Sequence, residues 1–468
     1  MSFGLKKFVS FFLSVEKHER LKVLFLSLSF FLIIGAYTVV RTLKDSLFIN
    51  IVGREYWATA KGLSIIMLIP AILLFSRIVD VLRRHHVLYL YVFLYGIGGL
   101  TIAYFLGDPI IGLPNTDTSP YRLFGWIIYL FIEGYNPFVV SLFWSFAHTI
   151  TSPEAAKSNY PLMVASSKLG GMITAALACT LLLRKVVDVD QRMFDTYNHQ
   201  ILLVVCSLLL LFVPVFVYLM IKKVPGKDLH GYEAAYQLEK ERSHQKPEGG
   251  FKEWIKGVFS GLTLLIKYPY VLGIFGVIFF WEVVGVFVNF ERLSTGQRLA
   301  LSLSGQTAYL LQLDMYVHMV GFFITLFGTR ALIKLLGERL SLILVPIATG
   351  ASLFVYLFNQ SAFAMGLVFV IVRSINYAFA SPLRESLYIP TTKEMKFKSK
   401  SWIDAFGVKI AKGVGATYSS FVISLPAALM YGVNCVFFGV VFSLWVLTAH
   451  LLGRRYERSV ERNEVIGE

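Results

Sequence analysis

The stretch YTVVRTLKDSLFIN, residues 37–50, decides the fold, because it places charges inside an otherwise apolar run. Arg41, Lys44 and Asp45 interrupt the run, and apolar residues resume after them and continue to Val52. A charge within a membrane-spanning helix is costly and usually faces a partner or a cavity. If the chain crosses a membrane here, these three side chains are therefore candidates for function.

The composition indicates that the chain's main solvent is lipid. The 468 residues are 56% hydrophobic and only 16% charged, with a mean hydropathy of +0.65, whereas soluble domains carry about 25% charged residues. The net charge of +15 would suggest nucleic acid for a soluble protein. In a membrane protein the positive-inside rule explains it better. We therefore expect a lipid bilayer, and no nucleic acid, as the partner.

Apolar runs of about 20 residues, the length that crosses a bilayer, recur along the chain. We count about twelve. The first six begin near Val23, Trp57, Val87, Leu123, Tyr160 and Ile201, and the second six near Tyr268, Gln306, Leu340, Ser361, Trp402 and Tyr431. Residues 1–20 are typical of a short amphipathic helix at the interface, and no cleavage site follows the first run.

Basic residues alternate between the two sides of the predicted membrane. Arg83 and Arg84 follow the second span and Arg339 precedes the ninth, whereas the loop 107–121 contains no lysine or arginine. This bias predicts that both termini and the long central loop are cytoplasmic.

The central polar loop divides the chain into two halves that resemble each other. We predict an N-terminal six-helix bundle over 1–221, a cytoplasmic linker over 222–267, and a C-terminal six-helix bundle with a basic tail over 268–468. EAAKSNYPLMVASSKLGG (154–171) parallels MKFKSKSWIDAFGVKIAK (395–412). Two parallel six-helix halves around a midplane site are typical of major-facilitator transporters. The predicted fold is therefore an all-α integral membrane protein with about twelve transmembrane helices in two pseudo-repeats, major-facilitator-like.

Further charged or polar side chains fall inside the predicted spans. Besides Arg41 and Lys44 they are Glu133 and Asn136 in the fourth span, Glu282 and Glu291 in the seventh, Arg373 in the tenth, and Lys409 and Lys412 in the eleventh. Arginine binds phosphate oxygens bidentately and lysine acts as a point charge, so this set suits an anionic substrate. The carboxylates balance the empty cavity, and Asp45 is placed to pair with Arg41 one helical turn away.

Each of these residues also has a structural interpretation. Arg41 and Lys44 fit the end of a shorter helix, with their side chains reaching the interface. Glu133 fits an ion pair across the bundle with Arg373. Lys409 and Lys412 fit boundary anchors of a span over 413–432. Glu291 fits a loop outside the seventh span.

The sequence lacks the GxxxxGK[ST] phosphate loop of nucleotide hydrolases, so transport would be driven by exchange or by an ion gradient. We predict no cofactor, no metal site and no enzymatic activity. Two other classes remain, a membrane sensor or scaffold and an intramembrane enzyme, and the enzyme ranks last because the spans offer no nucleophile with a base.

Several segments resemble the nucleotide transporter family typified by the ATP/ADP translocases of plastids and of chlamydiae and rickettsiae. YTVVRTLKDSLFI is similar to the R-x-x-K-D run of that family's first helix, and FVNFERL and AYLLQLDMYVHMVGFFI are similar to its seventh and eighth. KFKSKSWIDAFGVKIAKGVGA resembles the pattern K-x-K-[AS]-x-x-D-x-x-G-x-x-x-x-K-x-x-G. The matching residues are Lys398, Lys400, Asp404, Gly407, Lys412 and Gly415.

The resemblance implies which charges serve transport. The family's four functional charges fall on Lys44, Glu133, Glu291 (with Glu282 as the fallback) and Lys412. The implied activity is exchange of ATP for ADP by alternating access, with Arg41, Lys44 and Lys412 on the phosphates. Proton-coupled nucleotide import, NAD/ADP exchange and symport of another organic anion remain alternatives.

Two departures from the family bear on the substrate. The lysine of the eleventh helix is followed by Gly-Val-Gly rather than Ser-Gly-Gly, and Lys409 stands where the family has an arginine. No plastid transit peptide precedes the first span, so a bacterial inner membrane is expected. We further expect a monomer and, because ATP and ADP differ by one charge, a coupled proton or phosphate.

Overall fold

The computed structural model describes residues 19–82, 84–151, 153–184, 190–225, 262–300, 302–327, 329–376, 381–392, 395, 399–462 and 464–466. The predicted N-terminal amphipathic segment lies almost wholly outside these ranges, as do most of the central linker and Lys398. Helices account for nearly all of the described chain, which confirms the all-α prediction.

The first of two compact units is built from residues 1–245 and 296–326. Its helices are α1 (Arg20–Ile51), α2 (Trp57–Val81), α3 (Arg84–Leu106), α4 (Leu123–Glu133 continued by Ser141–Thr149), α5 (Pro153–Leu182), α6 (Gln191–Leu211 continued by Val213–Lys223) and α8 (Leu303–Phe327). One helix of the second half of the sequence, α8, thus packs with the helices of the first half.

The centre of this unit is the pairing of α1 with α5, which small residues make possible. A Cβ on Gly170 would lie 2.3 Å from the backbone oxygen of Phe31, so the two backbones are in direct contact. Thr174 spans the same crossing and donates hydrogen bonds of 2.9 Å to the carbonyl oxygens of Gly35 and Gly170. This close crossing fixes the helix that carries Arg41 and Lys44.

The helix α4 widens just after Glu133. Pro137 lacks the N–H that would bond to the carbonyl of Glu133, and the chain forms a π-helical turn over Asn136–Val140. Such turns are rare inside α-helices and frequent at functional sites. The widening sets the position from which Glu133 projects.

The loop between α3 and α4 is folded rather than extended. Arg122 donates to the carbonyl oxygens of Asp117, Ile111 and Gly112 and so clamps the loop from its far end. The carboxylate of Asp108 accepts backbone N–H groups from Ile111 and Ile110, which lowers the pKa of Asp108 from its ordinary value.

The second unit comprises residues 246–295 and 327–468. Its helices are α7 (Pro269–Leu299), α9 (Thr329–Asn359), α10 (Ala362–Ile375), α11 (Lys400–Trp402, a π-helical turn Ile403–Gly407, then Val408–Ile423) and α12 (Ala427–Glu461). The helix α9 bends at Gly337, whose φ of 75° is a conformation that glycine adopts without strain.

Twelve helical segments of the described chain coincide with the twelve predicted spans. Nine of these regions are long and apolar enough to cross a membrane, and Ala362–Ile375 is a shorter apolar helix. The helix α1 is continuous to Ile51, so Arg41 and Lys44 are not at the end of a shorter helix. Residues 413–432 are not one span, because α11 ends at Ile423 and α12 starts after Pro426.

The α1–α5 crossing gives a first prediction. Gly170→Ala introduces a Cβ against a backbone atom that cannot rotate away, and we expect a destabilisation of about 1–3 kcal/mol. Thermal unfolding of the purified protein in detergent measures the change. Gly439→Ala is the matched control, since a Cβ there meets no atom within 4 Å. Equal melting temperatures for the two variants would contradict the close crossing.

Candidate functional site

One carboxylate in the first unit holds two lysines. Oε2 of Glu133 lies 2.5 Å from the Nζ of Lys44, and Oε1 lies 3.0 Å from the Nζ of Lys61. Glu133 comes from α4, Lys44 from α1 and Lys61 from α2, so three helices converge on a single charged group. We call Lys44, Lys61 and Glu133 the lysine–glutamate cluster.

Aromatic rings and a second carboxylate complete the surroundings of the cluster. The ammonium of Lys44 lies 4.4 Å from the ring centroid of Tyr129, and that of Lys61 lies 5.5 Å from the ring of Trp57. Asp45 accepts the indole N–H of Trp57 at 3.2 Å and lies 3.4 Å from the ammonium of Lys44. Two positive and two negative groups therefore meet, and the formal charge of the group is zero.

Lys61 is a member that the sequence analysis missed. It lies one turn from the start of α2, about 6 Å along the helix, and its side chain is long enough to reach the helix end and water. Instead the side chain is turned towards Glu133 and is only 16% exposed. A lysine this close to the start of a predicted span is usually a boundary residue. The informative signal was a lysine just inside an apolar run.

Arg41 does not take the partner that the sequence predicted. Its Nη2 lies 2.7 Å from Oδ1 of Asp314, which projects from α8, and the hydroxyl of Thr42 donates to Oδ2 at 2.8 Å. Asp45 is engaged by Lys44 and Trp57 instead. The described contacts thus pair Arg41 with a carboxylate on another helix, whereas Asp45, one turn along α1, pairs with Lys44.

The same two helices are joined by further polar contacts over residues 38–50 of α1 and 306–318 of α8. Asn50 donates to Gln306 at 2.8 Å, Thr307 donates to Ser46 at 3.0 Å, and His318 is 2.9 Å from the hydroxyl of Thr38. These three pairs and Arg41–Asp314 follow one another along α1, and we call them the α1–α8 polar seam.

The start of α8 is also fixed by α6. Asp195 accepts the first backbone N–H groups of α8, those of Leu303 and Ser304, at 3.0 and 3.2 Å. One turn on, His199 lies 2.9 Å from the hydroxyl of Thr307. An acidic side chain at a helix N-terminus stabilises the helix dipole, so this end of α8 is firmly seated in the first unit.

In the second unit Glu282 and Glu291 both lie inside α7. Glu282 is 3.8 Å from the ammonium of Lys412, and Glu291 accepts the phenolic hydroxyl of Tyr356 at 2.7 Å. The interpretation of Glu291 as a loop residue is therefore wrong, since α7 continues to Leu299. Lys412 is paired with a carboxylate, as Lys44 is, but its side chain is 43% exposed.

Next to Glu291, the sequence analysis missed a buried arginine. Arg292 is 1% exposed and its guanidinium lies 4.2 Å from the ring centroid of Phe369. Arg373 approaches the same ring at 5.7 Å. Lys409 is half-buried on α11, and Asn136 is exposed on α4. The sequence analysis thus named Arg373 but overlooked its neighbour Arg292.

The glycines of the eleventh helix differ in their surroundings. A Cβ on Gly415 would lie 2.9 Å from the backbone oxygen of Val283, so Gly415 allows α11 to approach α7 closely. A Cβ on Gly413, by contrast, would meet nothing within 4 Å. The carboxylate-bearing Asp404 is exposed on the π-helical turn of α11.

A bundle of apolar helices with paired charges in its interior defines a multi-pass membrane transporter. Solved structures share the architecture: a D-xylose–proton symporter superposes with a TM-score of 0.64 at 14% identity, over 92% of this chain and 96% of that one. A major-facilitator proton:xylose symporter matches with a TM-score of 0.54 at 14% identity, over 94% and 95% of the two chains. The predicted fold class is confirmed.

The chain belongs to the TLC ATP/ADP transporter family, whose model matches residues 2–118 and 121–456. The ADP,ATP carrier protein 1 of Rickettsia typhi is 23% identical over 499 aligned residues, which cover 96% of each protein. The family resemblance read from the sequence motifs is thereby confirmed.

The lysine–glutamate cluster gives a second prediction. Glu133→Gln leaves Lys44, which is 3% exposed, and Lys61, which is 16% exposed, facing a neutral amide. Because breaking a buried ion pair leaves a charge that is poorly solvated, we expect the free energy of unfolding to fall by about 3–5 kcal/mol. Asp45 still balances one lysine in this variant, so adding Lys61→Gln removes the one excess positive charge and part of the loss is recovered. Thermal unfolding of both single variants and the double variant measures the coupling.

The control for this cycle is Glu457→Gln on α12, which breaks the ion pair of Glu457 with Arg339 on α9. Those side chains are 38% and 34% exposed, and the expected cost is about 0–1 kcal/mol. Additive effects of Glu133→Gln and Lys61→Gln would show that the two residues are not coupled.

Proposed function

We propose that this protein exchanges ATP for ADP across a bacterial inner membrane by alternating access, and that Lys44, Lys61 and Arg41 bind the phosphates. The observation that carries the proposal is that, in a chain of this family, one glutamate holds two lysines inside an apolar helix bundle. With Asp45 the group is neutral overall, yet both ammonium groups converge on the one carboxylate of Glu133. Two lysines that share one partly exposed carboxylate suit an anionic ligand that binds between them.

The exposure of the side chains suggests an order of events. Arg41, Glu133 and Lys61 are 29%, 23% and 16% exposed, whereas Lys44 is 3% exposed. A nucleotide would therefore meet Arg41 and Lys61 first. Lys44 becomes accessible when its partner Glu133 moves aside, and the phosphate then replaces the carboxylate. An ammonium has three donors, so each lysine can contact phosphate while it keeps one protein partner.

Glu133 has a second role in this scheme. Two unpaired lysines in an apolar bundle would be costly in the empty protein, and the carboxylate compensates for them until the substrate arrives. The competition between carboxylate and phosphate also limits the affinity, which a transporter needs in order to release its substrate. Lys412 and Glu282 form a similar pair in the second unit and are candidates for the same type of contact.

The site suits several nucleotides, and the alternatives differ in what drives uptake. Proton-coupled import would not need a counter-substrate, and NAD/ADP exchange would need internal NAD. We place the termini and the central loop in the cytoplasm from the positive-inside bias. We further propose that the monomer is the transporting unit, because one chain supplies both six-helix halves of the predicted fold.

Transport by reconstituted protein tests the proposal. Proteoliposomes are loaded with ADP, ATP, NAD or buffer, and uptake of labelled ATP is measured. We expect uptake only with internal ADP or ATP. Uptake into empty vesicles that follows an imposed pH gradient would favour the proton-coupled importer instead, and no uptake under any condition would contradict nucleotide transport.

Lys44→Gln and Lys61→Gln test the residues. We expect uptake to fall about tenfold to a hundredfold in each, because a hydrogen bond to a charged group contributes about 1.5–3 kcal/mol and 1.4 kcal/mol is a factor of ten. Lys223→Gln, at the exposed end of α6, is the matched control and should transport like the wild type. Wild-type uptake by Lys61→Gln would show that Lys61 has no part in binding.

A further inference from the structure

The ring of Tyr129 lies against both lysines of the lysine–glutamate cluster. The ring centroid is 4.4 Å from the ammonium of Lys44 and 5.7 Å from that of Lys61. Tyr129 projects from α4 one turn before Glu133, and residues four apart lie on the same face of a helix. The ring of Phe48 packs on it with the two centroids 4.8 Å apart, and Tyr129 is fully buried. Tyr129 is therefore held at the cluster by contacts of its ring.

The hydroxyl of Tyr129 has no hydrogen-bond partner among the residues that the structure describes. A buried hydroxyl without a partner costs free energy, so such groups are rare in folded proteins and call for an explanation. The hydroxyl is close enough to Glu133 and Asp45 to interact with both electrostatically, and it donates to neither. A donor in this position does not contribute a hydrogen bond to the fold and is placed to serve a ligand of the cluster.

The chemical class of that ligand follows from the number of donors. Each oxygen of Glu133 accepts from one lysine, Oε2 from Lys44 and Oε1 from Lys61, and the hydroxyl of Tyr129 is the third donor. A terminal phosphate carries three strong acceptor oxygens on one phosphorus. In the place of the carboxylate, it offers one oxygen to each ammonium and one to the hydroxyl. The three donors come from α1, α2 and α4, so one phosphate would contact three helices.

We propose that Tyr129 is a specificity-determining residue that completes, with Lys44 and Lys61, a three-donor site for a terminal phosphate. ATP and ADP both end in such a group. Each phosphorus of NAD lies between two bridging oxygens and has only two others, so NAD cannot satisfy the three donors through one phosphorus. This inference rests on the proposed function and deepens it, because it names the part of the nucleotide that the site selects.

Ligand binding by Tyr129→Phe tests the proposal, because the variant keeps the ring and removes only the hydroxyl. The matched ligand is the γ-methyl ester of ATP, which lacks one free oxygen on the terminal phosphorus. Dissociation constants are measured for the purified full-length protein in detergent, without divalent cations, from the rise in melting temperature with each ligand.

We expect the dissociation constant of Tyr129→Phe for ATP to rise about tenfold, the effect of one lost hydrogen bond to a charged group. The constant for the ester should stay close to that of the wild type, so the preference for ATP over the ester shrinks by the same factor. An unchanged constant for ATP, or an equal loss for ATP and for the ester, would overturn the proposal.

The melting temperature without ligand separates binding from a structural role. The hydroxyl of Tyr129 has no hydrogen bond to lose within the described chain, so Tyr129→Phe should melt at or above the temperature of the wild type. Tyr270→Phe is the control, because this buried hydroxyl donates to the carbonyl oxygen of Leu387 at 2.7 Å. The control should melt lower and bind ATP like the wild type. A fall for Tyr129→Phe as large as that for Tyr270→Phe would show a structural hydroxyl and overturn the proposal.

Lys61→Gln separates failure of this inference from failure of the proposed function. Weak binding of ATP by Lys61→Gln, together with wild-type binding by Tyr129→Phe, would leave the phosphate site standing and contradict only the role of the tyrosine. No binding of ATP by the wild type would contradict the proposed nucleotide exchange and this inference with it.

Discussion

The structure of the first unit depends on one glutamate that compensates two lysines inside an apolar bundle. Glu133, on α4, links its own helix to α1 and α2, and each of the three helices is fixed by a separate feature. The helix α1 is fixed by its glycine-mediated crossing with α5, and α4 by the π-helical turn that follows Glu133. The helix α2 is fixed by the hydrogen bond from the indole of Trp57 to Asp45. Because uncompensated charges are so costly in such an interior, the three helices cannot move independently without a ligand to replace the carboxylate.

The contacts between α1 and α8 are of a different kind. They include hydrogen bonds and one ion pair, and the groups that form these can also be satisfied by water or by a phosphate. A seam of this kind is suited to opening and closing, whereas the backbone contact between α1 and α5 is not. In the proposed alternating access the polar seam is the line of separation, with Arg41 as the member that a substrate contacts.

Much of the fold could be predicted from the sequence, because lipid imposes simple rules on length and hydropathy. The charged residues inside long apolar runs, Lys44 and Glu133, were found by their cost in the membrane. Lys61 was missed since a lysine near a span end is usually an interfacial anchor, and Arg41 was given a local partner because Asp314 is distant in sequence. The pair Asp314 and His318, four residues apart within the eighth span, was an available signal that was not used.

The sequence could not predict which residues pair with each other across helices, and the reason is physical. Hydropathy fixes where a helix crosses the membrane but not its rotation, and rotation decides whether Glu133 meets Lys61 or Arg373. The same holds for Glu282 and Glu291, nine residues apart on one helix, which the structure assigns to Lys412 and Tyr356.

The measurement that tests the central claim most directly is ATP binding by the variant Lys61→Gln. The variant keeps the pair of Lys44 with Glu133, so the helices stay linked while one ammonium of the cluster is lost. We predict that the purified variant is folded and that ATP raises its melting temperature much less than it raises that of the wild type. A folded variant that ATP stabilises as strongly as it does the wild type would show that the charges of the cluster hold the helices together and do not bind the phosphates.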